Sequence, residues 1–189
     1  MDRKEFLKYL AATGGILAMT SFDKIGEMFD EQDTVMPVLF MGHGSPMNAI
    51  ENNLFSQKWA SLGKEIGTPK AVLCISAHWL SSGTHVTAMD TPRTIHDFGG
   101  FPKALFDVQY PAPGDPLLAA DLVKMVKKTQ VGLNHDWGLD HGTWSVVRQM
   151  YPDAKVPVLQ MSIDYRQPMQ YHYDLAKELA DLRKKGVLI

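Results

Sequence analysis

Cysteine is almost missing from this chain. The single Cys74 excludes an internal disulfide, and without a CxxC pair the thiolate zinc sites of ribbons and fingers are excluded too. An excess of positive charge is also lacking. Lys and Arg number 19 and Asp and Glu 21, a net charge of −2, so the balance gives no footprint for a nucleic-acid partner. No unbroken apolar run reaches the roughly eighteen residues of a membrane-spanning helix. Internal repeats and low-complexity tracts are absent as well. What is present is a globular balance, 45% hydrophobic and 21% charged over 189 residues, enough for one domain with an appendage. Within it, seven histidines are the first count that points toward chemistry.

The N-terminus reads as separate from the rest. Arg3-Lys4-Glu5-Phe6-Leu7-Lys8 precedes a short, glycine-broken apolar stretch from Leu10 to Met19, the build of an export signal. The order also resembles a twin-arginine signal with lysine as the second basic residue. An amphipathic helix is the alternative, since Phe6, Leu10, Thr13 and Leu17 share one face. Periplasmic export and a cytoplasmic location both stay open. Residues 1–34 are thus expected to be a signal-like segment and linker, and 35–189 the folded domain.

From Met36 onward, strand-like and helix-like segments alternate. The wholly apolar run 36–41 and the runs 71–76 and 156–163 read as buried strands. Helical spacing marks Leu54 to Ile66, stopped by Gly67 and Pro69. Asp115-Pro116 reads as an N-cap with proline in the first turn, opening a helix to about residue 128. Pro168 opens another, with His172, Leu175, Ala176, Leu179 and Leu182 on one face and Gly186 at its end. This alternation predicts an α/β domain, a three-layer sandwich with a mainly parallel sheet and helices on both faces. Its central parallel strands would be 36–41, 71–76 and 156–163. Val187-Leu188-Ile189 looks like a further strand beginning at the terminus, which predicts a fragment or a truncated product.

Two histidines stand in equivalent places. His43 follows the 36–41 run and His78 the 71–76 run, with one helix between, so a right-handed βαβ crossover puts both at the carboxyl edge of the sheet. Neighbouring strands lie about 4.8 Å apart, and imidazole–metal bonds are about 2.0–2.1 Å, so one ion can reach both rings if the two strands are adjacent or nearly so.

The surrounding motifs are Gly42-His43-Gly44-Ser45-Pro46-Met47, Ser76-Ala77-His78-Trp79, His96-Asp97-Phe98-Gly99-Gly100-Phe101-Pro102, Tyr110-Pro111-Ala112-Pro113-Gly114 and Asp140-His141-Gly142. In this order they resemble the class III extradiol ring-cleavage dioxygenases, specifically the DOPA 4,5-extradiol dioxygenase group. The likeness runs from about Met36 to Ile189. It implies that His43 and His78 bind one metal ion, Fe(II) or zinc. It further implies that His141 is a proton donor or acceptor, or a substrate contact, and that the loop carrying His96 faces the substrate. The substrates implied are a small-molecule catechol, such as DOPA, and O2. The family continues with a G-N-x-V-H-N segment and a later histidine that have no counterpart here. The resemblance therefore implies an incomplete metal shell and a chain that by itself cleaves catechols poorly or not at all. An unpaired sheet edge would favour association, which keeps a homo-oligomer in view. Two other readings stand beside the dioxygenase: a metal-binding protein of the same family without ring-cleaving activity, and a hydrolase on the same scaffold.

The remaining candidates read as structural. His85 falls in a strand, His135 in a polar loop, and His172 on an apolar helix face. Cys74 is expected to be an inert buried thiol. Ser45 lacks the G-x-S-x-G elbow because Pro46 follows it. Asp140 is expected to accept a hydrogen bond that orients His141. Asp164, after the 156–163 strand, is placed to be a third ligand.

Overall fold

The computed structural model describes residues 35–189. The signal-like reading of residues 1–34 lies outside the described residues. Five strands form one sheet: β1 (Ala71–Ser81), β2 (Thr84–Thr87), β3 (Val131–Asn134), β4 (Val158–Asp164) and β5 (Val187–Leu188). Their order is β3-β2-β4-β1-β5. The β1–β4, β1–β5 and β2–β3 pairs are parallel, and only β2–β4 is antiparallel.

Helices cover both faces. On one side α1 (Leu54–Ile66), the short α2 (Lys103–Phe106) and α4 (His141–Met150) pack Trp59, Leu105, Trp144 and Val147 against Val72 and Val158. On the other, α3 (Pro116–Met125) and α5 (Met169–Leu179) pack Leu118, Leu122, Leu175 and Leu179 against Leu73, Leu159 and Met161. The three-layer, mainly parallel α/β architecture expected from the sequence is therefore the one observed. Its helix ends follow local chemistry. The Asn53 side chain caps α1 by accepting from Phe55 and Ser56 N–H, and Ser56 Oγ accepts from Asn53 N in return. Asp115 caps α3 through Leu118 N at 2.8 Å, with Pro116 in the first turn. The Pro168 helix ends in a 3-10 segment, Ala180–Lys185, before Gly186.

Two expectations need correction. Residues 36–41 form no strand. The segment passes the end of β5, bonding through Leu39 N to Ile189 O at 2.8 Å, with Val38 and Phe40 exposed. Pro37 has no N–H to give a ladder, and a two-residue β5 offers little edge to pair with. Nor does β1 end at residue 76: it runs to Ser81, interrupted where Ile75 pairs with Met161 and Leu80 with Ile163. Ser76-Ala77-His78-Trp79 is thus a bulge inside a strand, and bulges re-aim side chains. On α5, Leu175 and Leu179 are buried as expected while Ala176 is exposed.

Candidate metal centre

Three histidines from three separate parts of the chain meet at this bulge. His43, His78 and His141 each offer a ring nitrogen, and these atoms all lie within 4.8 Å of one another. His43 Nε2 is 2.8 Å from His78 Nε2. Ring centroids are separated by 5.0 Å (His43–His78), 4.9 Å (His43–His141) and 4.0 Å (His78–His141). The juxtaposition of His43 and His78 expected from the sequence is present, although its premise was faulty. Neither residue follows the end of a strand. His78 is carried by the bulge, and His43 by a turn.

That turn has its own logic. Gly44 has φ +61, in the left-handed region that favours glycine, and a Cβ there would lie 3.3 Å from Asn48 Nδ2. Asn48 Nδ2 donates to His43 O at 3.0 Å. Ser45 Oγ accepts from Met47 N at 3.3 Å and caps the Pro46–Ala49 turn, so the serine works as a cap.

His141 is held differently. It is buried as the first residue of α4, and its Nδ1 lies 2.9 Å from Asp97 Oδ1, which also accepts from His141 N at 2.9 Å. An ionised carboxylate only accepts, so the His141 Nδ1 donates to it. Burial pushes the Asp97 carboxyl up, but the bonds from the His141 ring and backbone outweigh it and hold the group below the usual carboxylate range. The loop bearing Asp97 is tied down by Ile95 N to Leu139 O (2.7 Å) and Leu139 N to Arg93 O (2.9 Å). The sequence reading gave the orienting role to Asp140. The ring partner is Asp97, and its only sequence signal was membership of the His96–Pro102 motif. Asp140 instead caps α4 through Thr143 N at 3.1 Å.

His96 sits outside the trio. Its Nε2 contacts Val108 O at 2.9 Å, and its ring lies against Phe98, Phe106 and Trp144. Phe98 in turn meets the His141 ring edge-on at 5.5 Å, so His96 backs the aromatic wall beside the site. Asp164 does not join the cluster. It is buried and accepts from Arg166 N at 3.1 Å, and among the described residues the metal-capable group is three histidines without a carboxylate. His85 (Nδ1 to Ser81 Oγ, 3.4 Å) and His172 (Nε2 to Asp164 O, 3.2 Å) are structural as expected. Cys74 is partly rather than fully buried, yet its surroundings push the thiol up to about 12, chiefly by burial.

The donor set fits a metal. Burial lowers the His43 pKa, and repulsion from His141 and His78 adds to it, so the imidazole stays neutral with a lone pair to give. His43 Nδ1 is buried without a hydrogen-bond partner. Imidazole donors suit zinc and first-row metals such as iron.

The model of one protein family, the "Catalytic LigB subunit of aromatic ring-opening dioxygenase", matches residues 36–189. The chain belongs to this family. It is 51% identical over 157 residues to a 4,5-DOPA dioxygenase extradiol of Escherichia coli K12, covering 82% of this chain and 58% of the relative. It is 39% identical over 164 residues to a 4,5-DOPA dioxygenase extradiol of Beta vulgaris, covering 84% and 61%. The crystal structure of an uncharacterized protein from Escherichia coli K12 matches with a TM-score of 0.67 and 44% identity, over 81% of this chain and 57% of that one. The chain therefore spans somewhat under two thirds of the length of these relatives. No helix among the described residues is long and apolar enough to cross a membrane.

Proposed function

We propose that residues 35–189 form the catalytic α/β domain of an extradiol dioxygenase that opens the ring of a small-molecule catechol, such as DOPA, with O2. The observation that carries this reading is the convergence of His43, His78 and His141. In it, His43 and His78 hold one ion, Fe(II) or Zn(II), and His141 moves protons. A bound ferrous ion would supply the redox chemistry that lets O2 react with a catechol, whereas zinc would fill the same ligands without it.

The residues around the ion do the positioning. Asp97 fixes the proton of His141 at Nδ1, leaving Nε2 to take a proton from a catechol hydroxyl and return it later. Phe98, backed by His96, supplies an apolar wall against which an aromatic ring can lie, so His96 acts on the substrate side through the loop it anchors. The names of the relatives support the catechol substrate. The test is anaerobic loading with Fe(II), followed by oxygen and DOPA or catechol. Oxygen uptake that scales with bound iron is the expected result. Bound iron with no uptake for any catechol, even after the chain is extended with a family-like C-terminal segment, overturns it and favours a metal-binding protein without ring-cleaving activity.

A further inference from the structure

We infer that Asp140, Ser76 and Gly142 form a clamp that fixes the spacing between His78 and His141, making Asp140 and Ser76 positioning residues of the metal centre. The inference rests on the proposed reading of His43 and His78 as ligands of one ion, with His141 beside it. His78 and His141 have the nearest ring centroids of the trio, 4.0 Å, although 62 residues separate them along the chain (141 − 78 − 1). A single buried carboxylate connects the elements that carry them.

Asp140 is fully buried, and the groups bonded to its carboxyl oxygens all donate: Ser76 Oγ to Oδ1 at 2.8 Å, Thr143 N to Oδ1 at 3.1 Å, and Gln160 Nε2 to Oδ2. The Gln160 amide is oriented for this because its Oε1 accepts from Asp140 N at 3.0 Å and from the Thr143 hydroxyl at 2.7 Å. A fully buried carboxyl group satisfied by these donors demands good geometry from each of them. Two of those donors lead to the histidines. Through Thr143 N, Asp140 caps the helix whose first residue is His141. Through Ser76, whose Oγ accepts from His78 N at 3.2 Å, it grips the bulge that carries His78.

Gly142 sets how closely the two elements approach. A Cβ there would lie 2.6 Å from His78 Cδ2, 3.1 Å from Ser76 Oγ and 3.3 Å from Asp140 Oδ1. The start of α4 thus rests directly on the His78 ring with no room for a methyl group, so contact as well as hydrogen bonding fixes the separation.

The test is titration of the 189-residue chain with Co(II), read by its visible absorption. Ser76→Ala, which cuts the link to His78, and Gly142→Ala, which wedges the ring away, should each weaken Co(II) binding by about 10–100-fold and alter the spectrum. Asp140→Asn combined with Ser76→Ala should lose no more than the larger single loss, because the two act through one chain of bonds. Tyr110→Phe serves as the stability control. It removes a buried bond to Tyr151 O and should lower the melting temperature while leaving cobalt affinity unchanged. Should Gly142→Ala fail to fold, Ser76→Ala decides. Unchanged affinity and spectrum in Ser76→Ala, or fully additive losses in the double variant, overturn the clamp. No cobalt binding by the unmutated chain overturns the metal reading beneath it.

Discussion

His141 and His43 reach the same point from unlike ground. His141 starts a helix, is buried, has one ring nitrogen tied to Asp97, and lies against Phe98, which packs on fully buried Trp144. His43 stands on a turn that follows a strandless segment with exposed Val38 and Phe40, and a hydrogen bond from Asn48 to its backbone steadies it. One wall of the site is built into the core and the other rests on the surface. The difference suits the two tasks proposed for these residues. A group that passes protons needs a fixed tautomer and direction, whereas a metal ligand gains its fixed position partly from the ion it binds.

Substitutions in the two walls should separate these tasks. The largest effect is expected from the ligands: His43→Ala or His78→Ala should strip stoichiometric Zn(II) or Fe(II) at neutral pH, measured by elemental analysis. Stoichiometric metal in both variants would remove the basis for a shared ion. His141→Ala should keep the metal and lose turnover. Next comes the packing behind the firm wall. Trp144→Ala deletes a fully buried side chain that also donates to Ile95 O at 2.8 Å, and should cost about 3–5 kcal/mol in denaturant unfolding.

Asp97→Ala should then lower activity or metal affinity by about 10–100-fold, with Asp97→Asn milder because it retains an oxygen acceptor. Asp97 also carries a pH signature. Its folded pKa is depressed, so its contribution to stability is complete above the ordinary carboxylate value of about 3.9 and fades as pH falls through the folded value. Acid titration of unfolding should show that loss in the unmutated chain and a smaller one in Asp97→Ala. The smallest effect belongs to the loose wall: Phe40→Ser, at a fully exposed position, should change stability by no more than about 0.5 kcal/mol.

The same contrast explains what the sequence made legible. The 36–41 and 71–76 runs look alike as apolar strings, and both predict buried strands. Only the second is one, because β1 lies between β4 and β5, whereas 36–41 bonds to Arg183 and Ile189 on either side of a two-residue strand and finds no strand to run along. A string records hydrophobicity without its partners. Helix ends are readable because their causes are local, as at Gly67, Asp115 and Gly186. The family motifs brought the histidines into view. The Asp97 contact was hidden because it joins residues 44 apart, and the motif could not say which acid faces the ring. The α4 helix from His141 to Met150 also went unread, since its buried face mixes Thr143, Trp144 and Ser145 with valines and blurs the apolar period.

The lone cysteine offers a clock for one part of the sheet. Cys74 lies just before the β1 bulge, beside Thr143 at 3.2 Å, with a thiol pushed up to about 12. In the closed state it is a poor nucleophile, because only the thiolate attacks disulfide reagents. Labelling by such a reagent should therefore be slow in the closed strand and faster whenever it opens. With no other thiol in the chain, the labelling rate would time how often β1 comes away from α4, without a spectroscopic tag and without a single substitution.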